Sequence, residues 1–297
     1  MNYFVQTKKT LVSKKIMRPD KYKSRFSLLK PINLNVRVVF IPKCIPNQYP
    51  SFKRFFFLFL LFSFTFCEAK SQADDFPYTL ETKNEIYISV TGLGLQTAGY
   101  FLNKNKDAKT FSFANANRKN IPGFDRWGVN YHSDNAATLS DVTELGGVAM
   151  PLSLCLISGV KSPRKGIILF TMYAETMLIT TGMINTVKGA VCRYRPYVYS
   201  GYFPANKNDA YATKSFYSGH TSATAASSFF AAKVFSDLYP NSKLKPYVWA
   251  MAAAVPAATG SFRIKAGRHF LSDVMSGYIT GAACGLLVPR LHKKKKN

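Results

Sequence analysis

The chain alternates between long apolar segments and short polar connections. Apolar residues are concentrated at about 86–102, 139–160, 166–187, 221–238, 246–262 and 270–291. Several of these segments approach the ~20 residues that a helix needs to cross a bilayer, and they are rich in small residues that let membrane helices pack closely. No stretch alternates with the period of a strand. The pattern predicts an all-α, membrane-associated bundle of five to six core helices, although a mean hydropathy of −0.05 also allows a soluble or partly embedded bundle.

The sequence before the bundle divides into two parts. Residues 1–54 are basic, contain several prolines and have no helical or strand period, which predicts a disordered extension or a mis-assigned start. Lys53 and Arg54 then precede the apolar run FFFLFLLFSFTF, which is followed by the small residues Ser71 and Ala73. This order is typical of an export signal over 55–73, with an uncleaved anchor helix as the alternative. The bundle is then expected over 74–292, with a basic tail at 293–297.

The charge of the chain is strongly positive but unevenly placed. There are 40 Lys or Arg residues against 15 Asp or Glu, a formal net charge of +25. Thirteen of the basic residues lie in 1–54, and four lysines lie at 293–296. Basic ends beside apolar segments are typical of the positive-inside pattern of membrane proteins rather than of a nucleic-acid binder. We therefore predict a membrane partner and no nucleic acid.

The metal-ligating residue types are few and widely spaced. Five cysteines and four histidines are present, and no two cysteines have the spacing of a zinc site. The sequence therefore predicts no metal and no cofactor.

Three short blocks at the edges of apolar segments carry candidate chemistry. The first, KGAVCRYRP, contains Lys188 and Arg195. Seven residues on one helix would place them two turns apart on a single face. Taken alone, Lys188 is typical of a lysine whose charged end reaches the water at a helix end.

The second block, FYSGHTSATAA, contains Ser218, Gly219 and His220 at the start of a predicted helix. Amides at a helix N-terminus attract anions. Taken alone, Ser218 indicates a helix N-cap.

The third block, SFRIKAGRHFLSD, contains Arg263, His269 and Asp273. His269 and Asp273 are four residues apart, which predicts neighbours on one face of a helix. A carboxylate in that position can hold the imidazole tautomer that leaves Nε2 free to attack. One His–Asp pair by itself is more often structural.

Together the blocks form an ordered signature. They read K-x6-RP, then SGH, then R-x5-H-x3-D, which resembles the type 2 phosphatidic acid phosphatases, relatives of bacterial class A acid phosphatases and vanadium haloperoxidases. The resemblance covers roughly residues 85–291 and implies their helical fold. Tyr217 stands where the family usually has Pro, and Phe262 where it usually has Ser. These departures concern loop shape and phosphate contacts rather than the reacting groups.

The resemblance implies a metal-free hydrolysis of phosphate esters. His269 would attack phosphorus to form a phosphohistidine, with Asp273 orienting it and His220 serving as general acid and then base. Lys188, Arg195, Arg263 and the region of Ser218 and Gly219 would hold the phosphate. Arg193, Lys265 and Arg268 match no motif position and are predicted to be solvated charges. Glu175, inside an apolar segment, is left outside the site.

Family substrates would be membrane lipid phosphates: phosphatidic acid, phosphatidylglycerol phosphate, undecaprenyl diphosphate or lipid A phosphate. The alternatives are a soluble periplasmic acid phosphatase acting on small esters, a vanadate-dependent haloperoxidase, and a catalytically inactive lipid-binding scaffold.

The basic stretches KSPRK and SKLK and the lysine tail share one side of the predicted bundle. Positive-inside logic places them in the cytoplasm and the active site outside the inner membrane. If segment 55–66 also exports the chain, segment 86–102 is expected to pack at the outer membrane surface instead of spanning.

Overall fold

A computed structural model describes residues 76–104, 116–156, 160, 162–201 and 211–294. The predicted basic extension and export signal, residues 1–73, lie outside these ranges, as does most of the lysine tail. The described residues form α1 (Thr82–Lys104), α2 (Asp134–Ala149), α3 (Pro163–Val191), the short α4 (Pro196–Ser200), α5 (Gly219–Leu238), α6 (Lys245–Lys265) and α7 (Leu271–Leu291), together with 3₁₀ helices at Arg118–Asn120, Arg126–Asn130 and Met150–Leu156.

The six predicted apolar segments correspond to six long helices, and no strand occurs in the part of the chain that the structure describes. The all-α prediction is therefore confirmed. Segment 139–160 is the one that divides: its α-helix ends at Ala149 and a 3₁₀ helix continues through Pro151. A proline cannot donate the backbone hydrogen bond of a regular α-helix, which accounts for a change of helix type there.

Helix α5 lies at the centre of the bundle and packs against α2, α3, α6 and α7. Thirteen of its 20 residues are buried, mostly Ala, Ser and Thr. Small side chains let neighbouring backbones approach closely from several directions. The composition of α5 therefore fits its central position.

Helices α5 and α7 approach each other along a row of glycines. Gly277, Gly281 and Gly285 are spaced by four residues on α7, and each faces a backbone oxygen of α5. A Cβ atom built on Gly277 would lie 2.5 Å from the carbonyl oxygen of Ser218. Glycine at these positions is therefore what allows α7 to lie directly against the backbone of α5.

Helix α1 lies parallel to α3 along most of its length. Gly92 faces Leu178, Gly99 faces Asn185, and Gly189 faces Leu102. Helix α1 therefore crosses the whole height of the bundle and ends beside the C-terminal end of α3. Helix α1 thus runs alongside α3, and the packing of segment 86–102 at the outer membrane surface stays a prediction.

The start of α1 and the end of α7 are joined by the chain segments that flank them. The amide of Thr79 donates to the carbonyl of His292 at 3.0 Å, and the amide of Lys294 donates to Pro77 at 2.9 Å. The hydroxyl of Tyr78 donates to Asp237 at 2.8 Å. These bonds close the end of the bundle where α7 finishes.

Two stretches among the described residues are long and apolar enough to cross a membrane: Pro163–Ser200, whose long helix is α3, and Leu271–Leu291, which is α7. This finding weakly indicates membrane association, because core helices of soluble proteins pass the same test. The outer surface of α1 is also apolar, since Ile86, Val90, Leu93 and Phe101 are each 57–64% exposed.

The contact of α5 with α7 gives the first testable prediction. We expect Gly281→Ala to lower the thermal unfolding midpoint, because the added Cβ would collide with the carbonyl of Ser222. Such overpacking typically costs about 1–3 kcal/mol. Gly146→Ala is the matched control, since nothing lies within 4 Å of a Cβ built there. Thermal unfolding in detergent measures both variants. If Gly281→Ala and Gly146→Ala had the same unfolding midpoint, the close contact of α5 with α7 would be contradicted.

Candidate active site

The ends of four long helices converge at one end of the bundle. Lys188 lies in the last turn of α3, His220 in the first turn of α5, and Arg263 in the last turn of α6. Arg195 is the N-cap of α4, and His269 precedes α7. The structure therefore brings the three sequence blocks together.

Lys188 and Arg195 do not share one helix, contrary to the prediction from their spacing. Helix α3 ends at Val191, and Cys192 adopts a left-handed conformation with φ of 50°. Arg195 follows in extended backbone, and Pro196 occupies the first position of α4. The chain reverses here because a left-handed residue ends a helix, and a proline is well suited to begin the next one.

His269 and Asp273 also differ from their predicted arrangement. Helix α7 begins at Leu271, so His269 lies before it rather than on its surface. The Nδ1 atom of His269 is 3.6 Å from Oδ2 of Asp273, an ion-pair distance but not a hydrogen bond. Gly267 has a φ of +67°, and the turn at this residue positions His269 beside Asp273.

His269 is only 1% exposed, and neither of its ring nitrogens has a hydrogen-bond partner among the residues that the structure describes. Burying an imidazole without hydrogen bonds is unfavourable, and a ligand bonded to the ring would offset this cost. Burial, together with the positive charges of Arg195, Arg263 and Lys188, lowers the pKa of His269 well below its ordinary value. The ring is therefore neutral near pH 7, which is the form that a nucleophile requires.

Asp273 is held by three donors. Its Oδ2 atom accepts from the Ser215 hydroxyl at 2.5 Å and from the Phe270 amide at 2.8 Å. Its Oδ1 atom accepts from Nη1 of Arg193 at 2.7 Å. The Phe270 contact caps the start of α7, so the carboxylate fixes both the helix end and the position beside His269.

Arg193 is not the solvated charge that the sequence suggested. Besides Asp273, its Nη2 atom contacts Oδ2 of Asp125 at 2.7 Å. Its guanidinium lies 4.3 Å from the centre of the Phe270 ring. Asp125 also accepts hydrogen bonds from the amide and hydroxyl of Ser272. Arg193 therefore joins the 3₁₀ region near residue 125 to the start of α7.

His220 faces two carboxylates. Its Nε2 atom lies 2.9 Å from Oδ1 of Asp141 and 3.1 Å from Oε2 of Glu144, both on α2. Burial and the nearby Arg263 guanidinium lower the pKa of His220 below its ordinary value, although the hydrogen bond to Asp141 opposes this effect. Arg263 in turn donates to Ser140 at 3.1 Å and lies 3.6 Å from Asp141.

Ser218 and Gly219 shape the start of α5. The Ser218 hydroxyl accepts from the amide of Thr221, as the N-cap interpretation predicts, and its own amide donates to the carbonyl of Asp273 at 3.0 Å. The Ser218 amide therefore holds α5 against α7, and the phosphate contacts predicted for the region of Ser218 and Gly219 stay a prediction. At Gly219, a Cβ would lie 3.2 Å from Nζ of Lys188. The missing side chain therefore lets the lysine approach the helix start.

The comparisons with known proteins agree with the three blocks. Residues 168–297 match the PAP2 superfamily. The resemblance to the type 2 phosphatidic acid phosphatases is therefore confirmed over this part of the chain, which contains Lys188, Arg195, His220, His269 and all of the remaining block residues. No curated protein and no solved structure matches the chain. The PAP2 match indicates a phosphatase.

Five residues that hold the side chains of the site were not assigned to it from the sequence: Asp125, Asp141, Glu144, Arg193 and Ser215. Asp125, Asp141 and Glu144 precede the matched region and come from distant parts of the chain, so no local spacing marks them. Arg193 lies only two residues before Arg195. Its position within the first block is the one feature of the sequence that points to it.

We expect Arg193→Met to lower kcat at least about tenfold while changing KM little, because the variant loosens Asp273 without removing a phosphate contact. Steady-state hydrolysis of an aryl phosphate measures both constants. Lys265→Met is the matched control, since Lys265 is exposed and does not hold Asp273 as Arg193 does.

Arg193→Lys tests whether Arg193 acts by position rather than by general stability. A lysine restores a positive charge but reaches one carboxylate at a time, so we expect partial recovery of kcat. An Arg193→Met enzyme with wild-type kcat would refute the positioning role.

Proposed function

We propose that this protein hydrolyses a membrane lipid phosphate or diphosphate through a phosphohistidine formed on His269. The observation that carries the proposal is the environment of that ring. It is buried and neutral, has no hydrogen-bond partner among the described residues, and lies in the field of Arg195, Arg263 and Lys188. A ring so placed is suited to attack a phosphorus whose charge the cations balance.

The first step of the proposed reaction breaks the P–O bond of the ester. Nε2 of His269 attacks phosphorus, because Nδ1 faces Asp273. The leaving oxygen takes a proton from His220, whose pKa rises when a phosphate dianion binds beside it. In the second step His220 removes a proton from water, the water oxygen attacks phosphorus and the P–N bond breaks. Inorganic phosphate leaves and His269 is restored.

Three cations offset the charge of the phosphoryl group in this scheme. Arg195 and Arg263 grip oxygens with planar guanidinium groups, and Lys188 acts as a point charge. The first amides of α5, at Gly219 and His220, add the positive end of a helix. No step in this scheme requires a metal ion, since these groups supply the electrostatic stabilisation.

The choice of a lipid substrate is supported by the surface beside the site. A cavity of about 520 Å³ extends from Lys188 towards the end of α1 and is lined by three lysines, two tyrosines and polar residues, among them Lys104, Lys214, Tyr100 and Tyr211. The adjoining outer face of α1 exposes Val90, Leu93 and Phe101. A basic cavity that opens beside an apolar helix face fits an anionic headgroup whose acyl chains stay in the bilayer.

The proposed orientation places the active site outside the inner membrane. The start of α3, the connection before α6 and the residues that follow α7 up to Lys294 lie at the opposite end of the bundle and are basic. Positive-inside logic places that end in the cytoplasm. The start of α1 belongs to the same end. If α1 spans the bilayer in this orientation, an export signal over 55–73 is excluded. If α1 packs at the outer surface instead, the export signal and the outward site are compatible.

A soluble acid phosphatase acting on small esters is the second candidate. Two observations favour it: only two described helical segments pass the length and hydropathy test for a membrane span, and the mean hydropathy is −0.05. The same histidines and cations would carry out its chemistry. The two functions differ in the substrate and in the need for detergent.

A substrate panel separates these candidates. We expect the detergent-solubilised protein to release phosphate fastest from one of phosphatidic acid, phosphatidylglycerol phosphate, undecaprenyl diphosphate or lipid A, and more slowly from an aryl phosphate. Phosphate release is measured for each compound with the wild-type protein and with His269→Ala. The variant should lose turnover while retaining the wild-type unfolding midpoint.

Each other outcome rejects a part of the proposal. Activity on the aryl phosphate alone would reject the lipid substrate and favour the soluble phosphatase. Wild-type turnover by His269→Ala would reject the nucleophile. No hydrolysis of any compound by the wild-type protein would favour the inactive lipid-binding scaffold.

A further inference from the structure

A second cluster of ionisable groups lies at the opposite end of the bundle from His269. It consists of Glu85 in the first turn of α1, Glu175 in the middle of α3, and His292 directly after α7. The length of α7 separates His292 from the active site by roughly 30 Å, and Glu175 lies about 20 Å along α3 from Lys188. The cluster is therefore independent of the phosphatase chemistry.

Nε2 of His292 points between the two carboxylates. It lies 2.9 Å from Oε1 of Glu85 and 3.1 Å from Oε2 of Glu175. The side chain of His292 is fully buried, and that of Glu175 is 7% exposed. Oε2 of Glu175 makes no hydrogen bond within the described part of the chain, in spite of its distance from the ring. A buried carboxylate oxygen without a hydrogen bond is unfavourable unless a proton or a cation compensates it.

The other ring nitrogen of His292 is already engaged, because Nδ1 lies 2.8 Å from the carbonyl oxygen of Val288. A carbonyl can only accept, so Nδ1 carries the proton in this contact. Histidine ligands of metals are commonly held in this way, with one nitrogen bonded to a carbonyl and the other facing the metal. Nε2 then presents a lone pair or a second proton to the two carboxylates.

We propose that Glu85, Glu175 and His292 bind a divalent transition-metal ion such as Zn²⁺. Their donor atoms lie within 4.8 Å of one another. One imidazole and two carboxylates form a ligand set that zinc accepts, with metal–ligand bonds of about 2.0–2.2 Å. At the present distances of 2.9 and 3.1 Å, Nε2 of His292 and each carboxylate oxygen would subtend roughly 90° at the metal. The carboxylates would therefore move slightly away from the ring to reach the tetrahedral angle of structural zinc.

Such an ion would join three helices. Glu85 belongs to α1, Glu175 to α3, and His292 to the end of α7, where Thr79 already donates to the His292 carbonyl. Binding displaces any second proton from the histidine and offsets the charge of two carboxylates in a largely buried place. The role is to stabilise the fold, because metal that binds only the folded state raises its stability.

Zinc binding to the full-length, detergent-solubilised protein tests the proposal directly. The protein is stripped with EDTA and dialysed, and Zn²⁺ is then added in competition with a chromogenic chelator. We expect the wild-type protein to bind one equivalent and Glu85→Gln to bind at least about tenfold more weakly. Glu85 is partly exposed and Gln has the same shape, so this variant keeps the fold.

Glu81→Gln is the matched control, because Glu81 lies one turn away, is exposed and is not a member of the cluster. Zinc should also raise the thermal unfolding midpoint of the wild-type protein and of Glu81→Gln, but not that of Glu85→Gln or His292→Ala. No zinc binding by the wild-type protein would overturn the proposal and leave a proton shared by the three groups. Equal zinc affinity of Glu85→Gln and Glu81→Gln would overturn it as well.

Discussion

Helix α7 lies directly against the backbone of α5 through a row of three glycines, and the position of the reacting groups depends on this contact. The start of α7 carries Asp273, and the start of α5 carries His220. The amide of Ser218 donates to the carbonyl of Asp273, so the two helix starts are fixed to each other. A larger residue at Gly277 would push apart the helix ends that meet at the site.

Charge is distributed around this contact in two layers. Burial, together with the positive charges of Arg195, Arg263 and Lys188, lowers the pKa of His269 and keeps its ring neutral. Behind them lies a layer of carboxylates. Asp125 and Asp273 hold Arg193, Asp141 contacts Arg263, and Glu144 contacts His220. The carboxylates fix the cationic and reacting groups in place before a substrate arrives. A site organised in advance does not have to reorganise during the reaction, which is the main electrostatic advantage of an enzyme over water.

Much of the fold and of the site could be predicted from the sequence, because both are recorded in local patterns. Six apolar segments correspond to six helices, and Ser218 caps α5 as a serine before Gly219 suggests. Predictions from residue spacing were wrong where a helix ends between the two residues concerned. Lys188 and Arg195 were assigned to one face, but the left-handed Cys192 ends α3 between them.

Contacts between residues that are far apart in the sequence could not be predicted, because no local sequence pattern marks them. Arg193 is bound by Asp125 and Asp273, which lie 68 and 80 residues away. Glu175 and His292 meet across more than a hundred residues, and Glu85 joins them from the other side. Only the packing of α1, α3 and α7 brings these groups together. Sequence alone records that such residues are ionisable and says nothing of their partners.

The central claim is that His269 forms a covalent bond to phosphorus, and trapping that bond tests it most directly. The protein is mixed with whichever lipid phosphate it hydrolyses fastest, radiolabelled in the phosphoryl group, and quenched rapidly in alkali, where a phosphohistidine survives. The account predicts label on the peptide that contains His269 and none on the His269→Ala variant. Turnover without any labelled protein, or label on another residue, would contradict it.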